Sequence, residues 1–426
     1  MYYEAVTEKY PEHCELVGLC DNNAGRLEMR CGELAAKGFD VPTFAENEFD
    51  RMIVEQKPDV VIVTPRDDLH DRFICRAMEL GCNVITEKPM TIDAARCQKI
   101  LDTVEKTGKN VTVTFNYRYS PPRSQVKELL VAGAVGEVLS VDFHWLLDTH
   151  HGADYYRRWH RNKANSGGLM VHKATHHFDL VSWWLSSVPQ TVTALGGRSF
   201  YTPLQAAQYG LEGRSERCLD CSVAGKCPFY LDMKANEGLK KLYLDHEQHD
   251  GYFRDRCVFS EQIDIEDSMN VAVRYQSGAH LSYSLNSFMP WEGYHVAFNG
   301  TKGRLEHSCQ EKVYISGDGT VPGETKAGET TIKVYPHFQA PSDVPVRVGT
   351  GGHGGGDTLL EDDLFLPSPP ADPLNRAANQ FAGAYSILTG IAANLAMAEG
   401  QVDSLVKGLQ TPDYPEMPQR SYPNET

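Results

Sequence analysis

Lys88 lies in Thr86-Glu87-Lys88-Pro89, directly behind the apolar run 83–86. A lysine fixed at a strand end beside a redox cofactor can donate to a substrate hydroxyl and stabilise the alkoxide that develops as hydride leaves. Isolated lysines before a proline are as a rule exposed turn residues, so the surroundings must carry this reading. The second constellation runs from Ser166 to Asp179 and holds His172, His176 and Asp179. Four residues apart on one helix, His172 and His176 share a face, with Asp179 one turn further along. Histidine titrates near working pH and can accept a hydroxyl proton. The same spacing suits zinc, although no glutamate follows His172 as in the zinc-protease pattern. Proton transfer is favoured over metal, with a merely structural cluster third.

Just upstream, Tyr155, Arg158 and Trp159 crowd with His150, His151, Asp154, Arg157, His160 and Arg161. Aromatic, hydroxyl and cationic groups together suit a hydroxylated, anionic or neutral ligand, while a polar loop packed on a sheet would read the same way. His353, in Gly351-Gly352-His353-Gly354-Gly355-Gly356, is a candidate for a lid closing over the site. Cys218-x2-Cys221-x5-Cys227 and Cys257 have a spacing that could enclose a structural zinc, with His246 and His249 as reserve ligands. No second Cys-x2-Cys is present, so free or paired thiols compete with that reading.

The elements that must position these groups alternate. Residues 14–21, 39–44, 59–64, 83–86 and 110–115 read as strands, and 23–37, 68–80 and 91–106 as helices. Such alternation means crossover units and a parallel sheet. Ligands bind at the carboxyl ends of such strands, where Asp21, Thr64-Pro65 and Glu87-Lys88-Pro89 fall. After Ser120-Pro121-Pro122 the texture changes to a helix at 124–132 and strands at 137–143, 191–196, 268–275, 279–285, 295–299 and 312–316. The fold expected is therefore α/β: a parallel-sheet domain over 1–120, then an α/β domain over 121–426. The second domain has a large open, mainly antiparallel sheet and a Cys-rich insertion near 214–260. Residues 321–356 read as loop and 373–398 as a small-residue helix.

With 426 residues the chain exceeds one ordinary core. A formal net charge of −16 argues against nucleic-acid or anionic-membrane partners. No run of about 18 apolar residues stands out, so no membrane span is expected. Eleven cysteines in a chain this long do not resemble a secreted disulfide scaffold, which makes the cytoplasm the simplest compartment. An export signal upstream of Met1 is compatible with all of this.

Several stretches, in order, resemble the glucose–fructose oxidoreductase/inositol dehydrogenase (Gfo/Idh/MocA) family. They are Val60 to Pro65, Leu69-His70, Gly81 to Pro89, Phe115 to Pro121, Val135 to Val138, the histidine segment, Gly300-Thr301-Lys302-Gly303 and the helix near Gly390. The resemblance implies a Rossmann-like first domain and NAD-dependent oxidation of a secondary alcohol on a sugar or cyclitol. A cofactor-regenerating glycosidase or lyase, or a non-catalytic sugar-binding protein, are the alternatives. It makes Lys88 the catalytic lysine and His176 the general base. His172 stands where many members have aspartate, and Asp179 matches a supporting acid. Thr64, Pro65, Glu87, Lys88 and Asn116 fall where relatives touch nicotinamide and ribose, and Asp21 where they hold the adenosine ribose. No arginine or serine follows Asp21 directly, which favours NAD over NADP. A homo-dimer or tetramer is implied in the same way. The family opens with a strand and a Gly-x-Gly-x-x-Gly-type turn, whereas residues 1–6 here already read as the following helix. That first strand and turn are lacking, and a start upstream of Met1 is preferred to a genuine loss.

Overall fold

Val60–Val63 is wholly β-branched, and such residues fit a strand covered on both faces. In the computed structural model, which describes residues 2–313, 330–349 and 352–399, this strand (β3) pairs in parallel with β4, Asn83–Thr86, which pairs with β5, Val111–Val113. A second parallel pair, β1 (Leu19–Asp21) and β2 (Thr43–Ala45), forms its own sheet. Crossover helices Ala24–Ala36, His70–Glu79 and Ala94–Thr107 connect these strands. Asn23 caps the first helix by accepting from the Arg26 N–H at 2.9 Å. The third is capped by Asp93 rather than starting at Thr91, because Thr91 is fully buried while the Asp93 carboxylate accepts from the Arg96 N–H. The strand expected over 14–21 shrinks to its last three residues, since only these find a partner, in β2. At the start, the expected helix is a single turn, Tyr2–Glu4, followed by a wider π turn, Ala5–Lys9.

The second sheet has eight strands in the order β13-β12-β11-β10-β6-β9-β8-β7. They are β6 Val138–Asp148, β7 Pro189–Gly197, β8 Ser268–Tyr275, β9 His280–Met289, β10 Trp291–Gly300, β11 Gly303–Val313, β12 Thr331–Pro336 and β13 Ser342–Val344. Every pairing is antiparallel except β6 with β9, so the sheet is mixed. Alternation in β8 turns Met269, Val271, Val273 and Tyr275 inward against the helix Thr175–Leu185 and leaves the other face to solvent. The stretch expected as loop over 321–356 instead contains β12, β13 and the first turn of a helix, Gly352–Phe365. Residues 314–329 lie outside the described residues.

The helix Gln380–Glu399 begins later than expected and is long and apolar enough, by composition, to pass for a membrane span, which corrects the expectation that nothing in the chain is. Its small-residue face lies buried on both domains. A side chain at Gly383 would meet Met90 and Val113 of the first domain at 2.9 Å, and one at Gly390 would collide with the Met170 carbonyl two residues before His172. Gly390→Ala therefore overpacks a backbone contact and should cost about 1–3 kcal/mol, read as a lowered urea midpoint. Gly197→Ala, which meets nothing within 4 Å, should leave that midpoint in place.

Candidate active site

The carboxyl ends of β3 and β4 meet at His70, whose neutral ring has one N–H to donate. Its Nδ1 lies 2.8 Å from the Pro89 carbonyl and its Nε2 3.1 Å from the Pro65 carbonyl, while burial pushes its pKa down to about 4. Lys88, whose peptide to Pro89 is cis, leaves β4 at this point. Its Nζ donates to the His172 carbonyl at 3.2 Å and lies 3.4 Å from His172 Nε2. His172 Nδ1 in turn meets the Asp67 carboxylate at 2.5 Å. The three side chains form a line, Lys88–His172–Asp67, in which Asp67 is 4% exposed and His172 12%.

Burial lowers the Lys88 pKa to about 8; Lys173 and Arg158 push the same way, and Asp67 and Glu87 oppose them. Burial, reinforced by Lys88 and His160, also drives His172 well below the usual histidine range. Asp67 is raised by burial against the pull of Lys88. The imidazole is neutral, because a cation already stands at Nε2. A neutral His172 with its proton on Nδ1 donates to Asp67 and leaves Nε2 to accept from Lys88.

A second chain abuts the first. The Tyr155 hydroxyl donates to His151 Nε2 at 2.9 Å, and His151 Nδ1 lies 2.8 and 2.9 Å from the two oxygens of buried Glu292. The Tyr155 ring meets the edges of His160 and His172, and Trp159 stacks on His160 at 3.7 Å. Asp148 starts the helix Thr149–Arg157 by accepting from the His150 and His151 N–H groups. Burial and the Glu292 charge raise its pKa to about 7.

The other expected residues scatter. His172 ends one short helix, Leu169–His172, and His176 lies in the next, Thr175–Leu185, so the shared helical face does not exist. His176 is buried and stacks on Tyr117 at 4.2 Å. Asp179 makes a buried bidentate pair with Arg118 at 2.5 and 2.7 Å, inside the domain. Glu87 accepts from the Tyr2 hydroxyl at 2.5 Å, and the Asn116 amide donates to Asp357 at 2.8 Å. Thr64 is exposed at the end of β3, beside Pro65. Asp21 ends β1, with 39% of its side chain exposed, and accepts from the Asn23 N–H. His353 falls in the helix Gly352–Phe365, not in a loop, and its side chain lies outside the described residues. Asp67 and Glu292 escaped sequence reasoning as members of this centre, whereas His151 and His160 belong to the crowded stretch expected to meet the ligand. For Asp67 the available signal was an acid three residues past Thr64 at a strand end.

Cys218, Cys221, Cys227 and Cys257 line one small cavity, brought together where Cys218 N–H donates to the Asp255 carbonyl and Cys257 N–H to the Glu216 carbonyl. All four are free thiols. Among the described residues no group of three or more His, Cys, Asp or Glu side chains is arranged to hold a metal ion, so the structural zinc expected there finds no support. Burial raises Cys218, Cys227 and Cys257 above the usual thiol range, disfavouring the thiolates a metal needs. The reserve ligands His246 and His249 instead pack on Gly25 of the first domain. Beside them Asn23 donates to the His246 carbonyl, and Arg26 pairs with Asp250 at 2.5 Å. The insertion is thus a strap between the two domains.

The Lys88 ammonium is the form that donates to a substrate oxygen, and it is lost as pH rises through about 8. kcat/KM should therefore fall across that range. Asp67 helps to hold the proton on Lys88, so Asp67→Asn should move the falling limb to lower pH. A limb that stays in place would detach Asp67 from the lysine.

Residues 1–115 match the oxidoreductase family's NAD-binding Rossmann fold, and residues 127–402 match its C-terminal alpha/beta domain. YteT of Bacillus subtilis (strain 168) is 39% identical over 399 residues, 92% of this chain and 91% of that protein. Inositol 2-dehydrogenase of Salmonella typhimurium (strain LT2) is 27% identical over 179 residues, 42% of this chain and 49% of that enzyme. The solved levoglucosan dehydrogenase, in complex with NADH and levoglucosan, has the same fold, with a TM-score of 0.61 at 16% identity over 93% of this chain and 92% of its own. Fold, domain order and sequence thus agree: the chain belongs to the Gfo/Idh/MocA family of oxidoreductases.

Proposed function

We propose that the protein oxidises a secondary alcohol of a sugar or cyclitol, with NAD as its partner in the reaction. The observation that carries this is the Lys88–His172–Asp67 line at the carboxyl ends of β3 and β4. Those strand ends are where a parallel sheet receives its ligand. The residues present suit the cofactor: Asp21 keeps an exposed carboxylate beside the amino end of the helix Ala24–Ala36, and Thr64 is open at its strand end. Asp21 would hold the adenosine ribose, and Thr64, Pro65, Glu87 and Asn116 the nicotinamide side. When bound, NAD supplies the two-electron acceptor. Lys88 donates from its ammonium to the substrate oxygen and stabilises the alkoxide that develops, while the hydroxyl proton goes to His172 Nε2, where the Nδ1–H···Asp67 bond steadies the cation that forms. The direct contact favours His172 over His176 as first acceptor, the reverse of the order that the resemblance implies. Tyr155 and Trp159 close the site around the sugar. The relatives' names, an inositol dehydrogenase and a levoglucosan dehydrogenase, support the substrate class. A homo-dimer or tetramer, built on the open face of the eight-stranded sheet, belongs to the same proposal.

The test is net NADH formation across a panel of sugars and cyclitols, beside NAD binding by calorimetry. Lys88→Met and His172→Gln should each lower kcat/KM by about 10²–10⁴-fold, with His176→Gln less severe. Activity untouched by both of the first two variants would sink the reading. Sugar release without net NADH would point instead to a glycosidase that regenerates its cofactor.

A further inference from the structure

Resting on that reading, we infer that the sugar taken by this centre carries a carboxylate, and that Arg158 is the residue that reads it. Three guanidinium charges act on one carboxylate, Asp154. Arg254 donates to Asp154 at 2.6 Å, and Arg157 lies 3.9 Å from it. Burial opposes ionisation of Asp154, yet Arg254, Arg158 and Arg157 together hold its pKa down at about 2. Arg254 and Arg157 have other work. Arg254 is bound to Asp154 through one nitrogen, its other two being sealed from solvent without a partner among the described residues, and Arg157 donates to the Phe229 carbonyl at 2.7 Å. Arg158 differs: it makes one side-chain hydrogen bond among the described residues, from Nε to the Tyr252 hydroxyl at 3.3 Å. Both terminal nitrogens of its fork have no acceptor among the described residues and stay open to solvent.

The next residue, Trp159, stacks on His160 at 3.7 Å and meets the His172 ring edge-on at 5.8 Å, which places Arg158 beside the reaction centre. The Arg158 charge depresses Lys88, His160 and His172 and favours the ionised form of Asp67. A cation at that position makes the lysine harder to protonate and costs the centre proton affinity unless an anion arrives beside it. A carboxylate satisfies the planar fork with two parallel N–H···O bonds, which a hydroxyl cannot match. A neutral sugar would cover the two open nitrogens without supplying an anion to them, an unfavourable exchange for water. One free fork also suits a single negative charge better than a phosphate, which takes several donors. The whole chain is acidic at −16, so the attraction is local to this arginine and not a property of the overall field. Tyr252 comes from the strap, so the insertion that joins the domains also aims the reader.

The experiment compares D-glucuronate and D-galacturonate with D-glucose, D-galactose and glucose 6-phosphate, using the full chain with NAD. Turnover is followed as NADH and binding as a thermal shift. The uronates should be preferred by about ten- to a hundredfold in kcat/KM. Arg158→Gln should bring that ratio towards one, chiefly through KM, and Arg158→Lys should recover part of it. Equal use of neutral sugars, a preference for the phosphate, or an Arg158→Gln loss uniform across the panel would each overturn the inference while leaving the oxidation reading in place. Uronates that raise the melting temperature of the wild type and not of Arg158→Gln, without NADH forming, would uphold the inference and remove the oxidation reading. No uronate binding and no uronate turnover would end it.

Discussion

An ammonium taken out of water is tolerated only where oxygens or an imidazole stand ready to receive its protons, and Lys88 is in that position. Its partners all come from outside its own strand: the carbonyl and Nε2 of His172, and behind them the carboxylate of Asp67. Removing Asp67 or His172 would leave a poorly compensated cation at the strand end. The rest of the architecture follows from the need to bring a loop after β3, a loop after β4 and a short helix of the second domain to one point.

That convergence is held from several sides. His70 is buried between the two strand-end loops, against the Pro65 and Pro89 carbonyls, and donates its one N–H there. The helix Gln380–Glu399 lies against Met90 and Val113 on one domain and against Met170 on the other, with glycines at the closest approaches. The strap of the insertion reaches back from Arg158 and Tyr252 to Asn23 and Arg26 near Asp21. Aromatic rings fill the remaining space, so His172 has little freedom to leave Lys88.

Much of this was legible in the residues. The β-branched run Val60–Val63 and the strand Asn83–Thr86 announce themselves by composition, and a parallel sheet then places Lys88 at the ligand-binding edge. Asp67 was not legible as its partner, because an acid after Thr64-Pro65-Arg66 looks like the start of a helix. The break between His172 and His176 carries no proline or glycine; it is made by tertiary packing that ends one helical turn at Lys173 and starts another at Thr175. Glu292 lies 141 residues from His151, and only the sheet brings them together. The clustering of four cysteines was readable from spacing, but whether they hold a metal depends on how the thiols are aimed, which spacing does not encode.

The central claim is that His172 is a neutral imidazole with its proton on Nδ1, shared with Asp67, and its Nε2 open to Lys88. Nitrogen NMR of ¹⁵N-histidine-labelled protein, with the His172 signals assigned by His172→Gln, measures this directly. The structure predicts a protonated Nδ1 and an unprotonated Nε2 at pH 6.5, where an ordinary histidine is half charged. An imidazolium, or a proton found on Nε2, would contradict His172 as the proton acceptor beside Lys88.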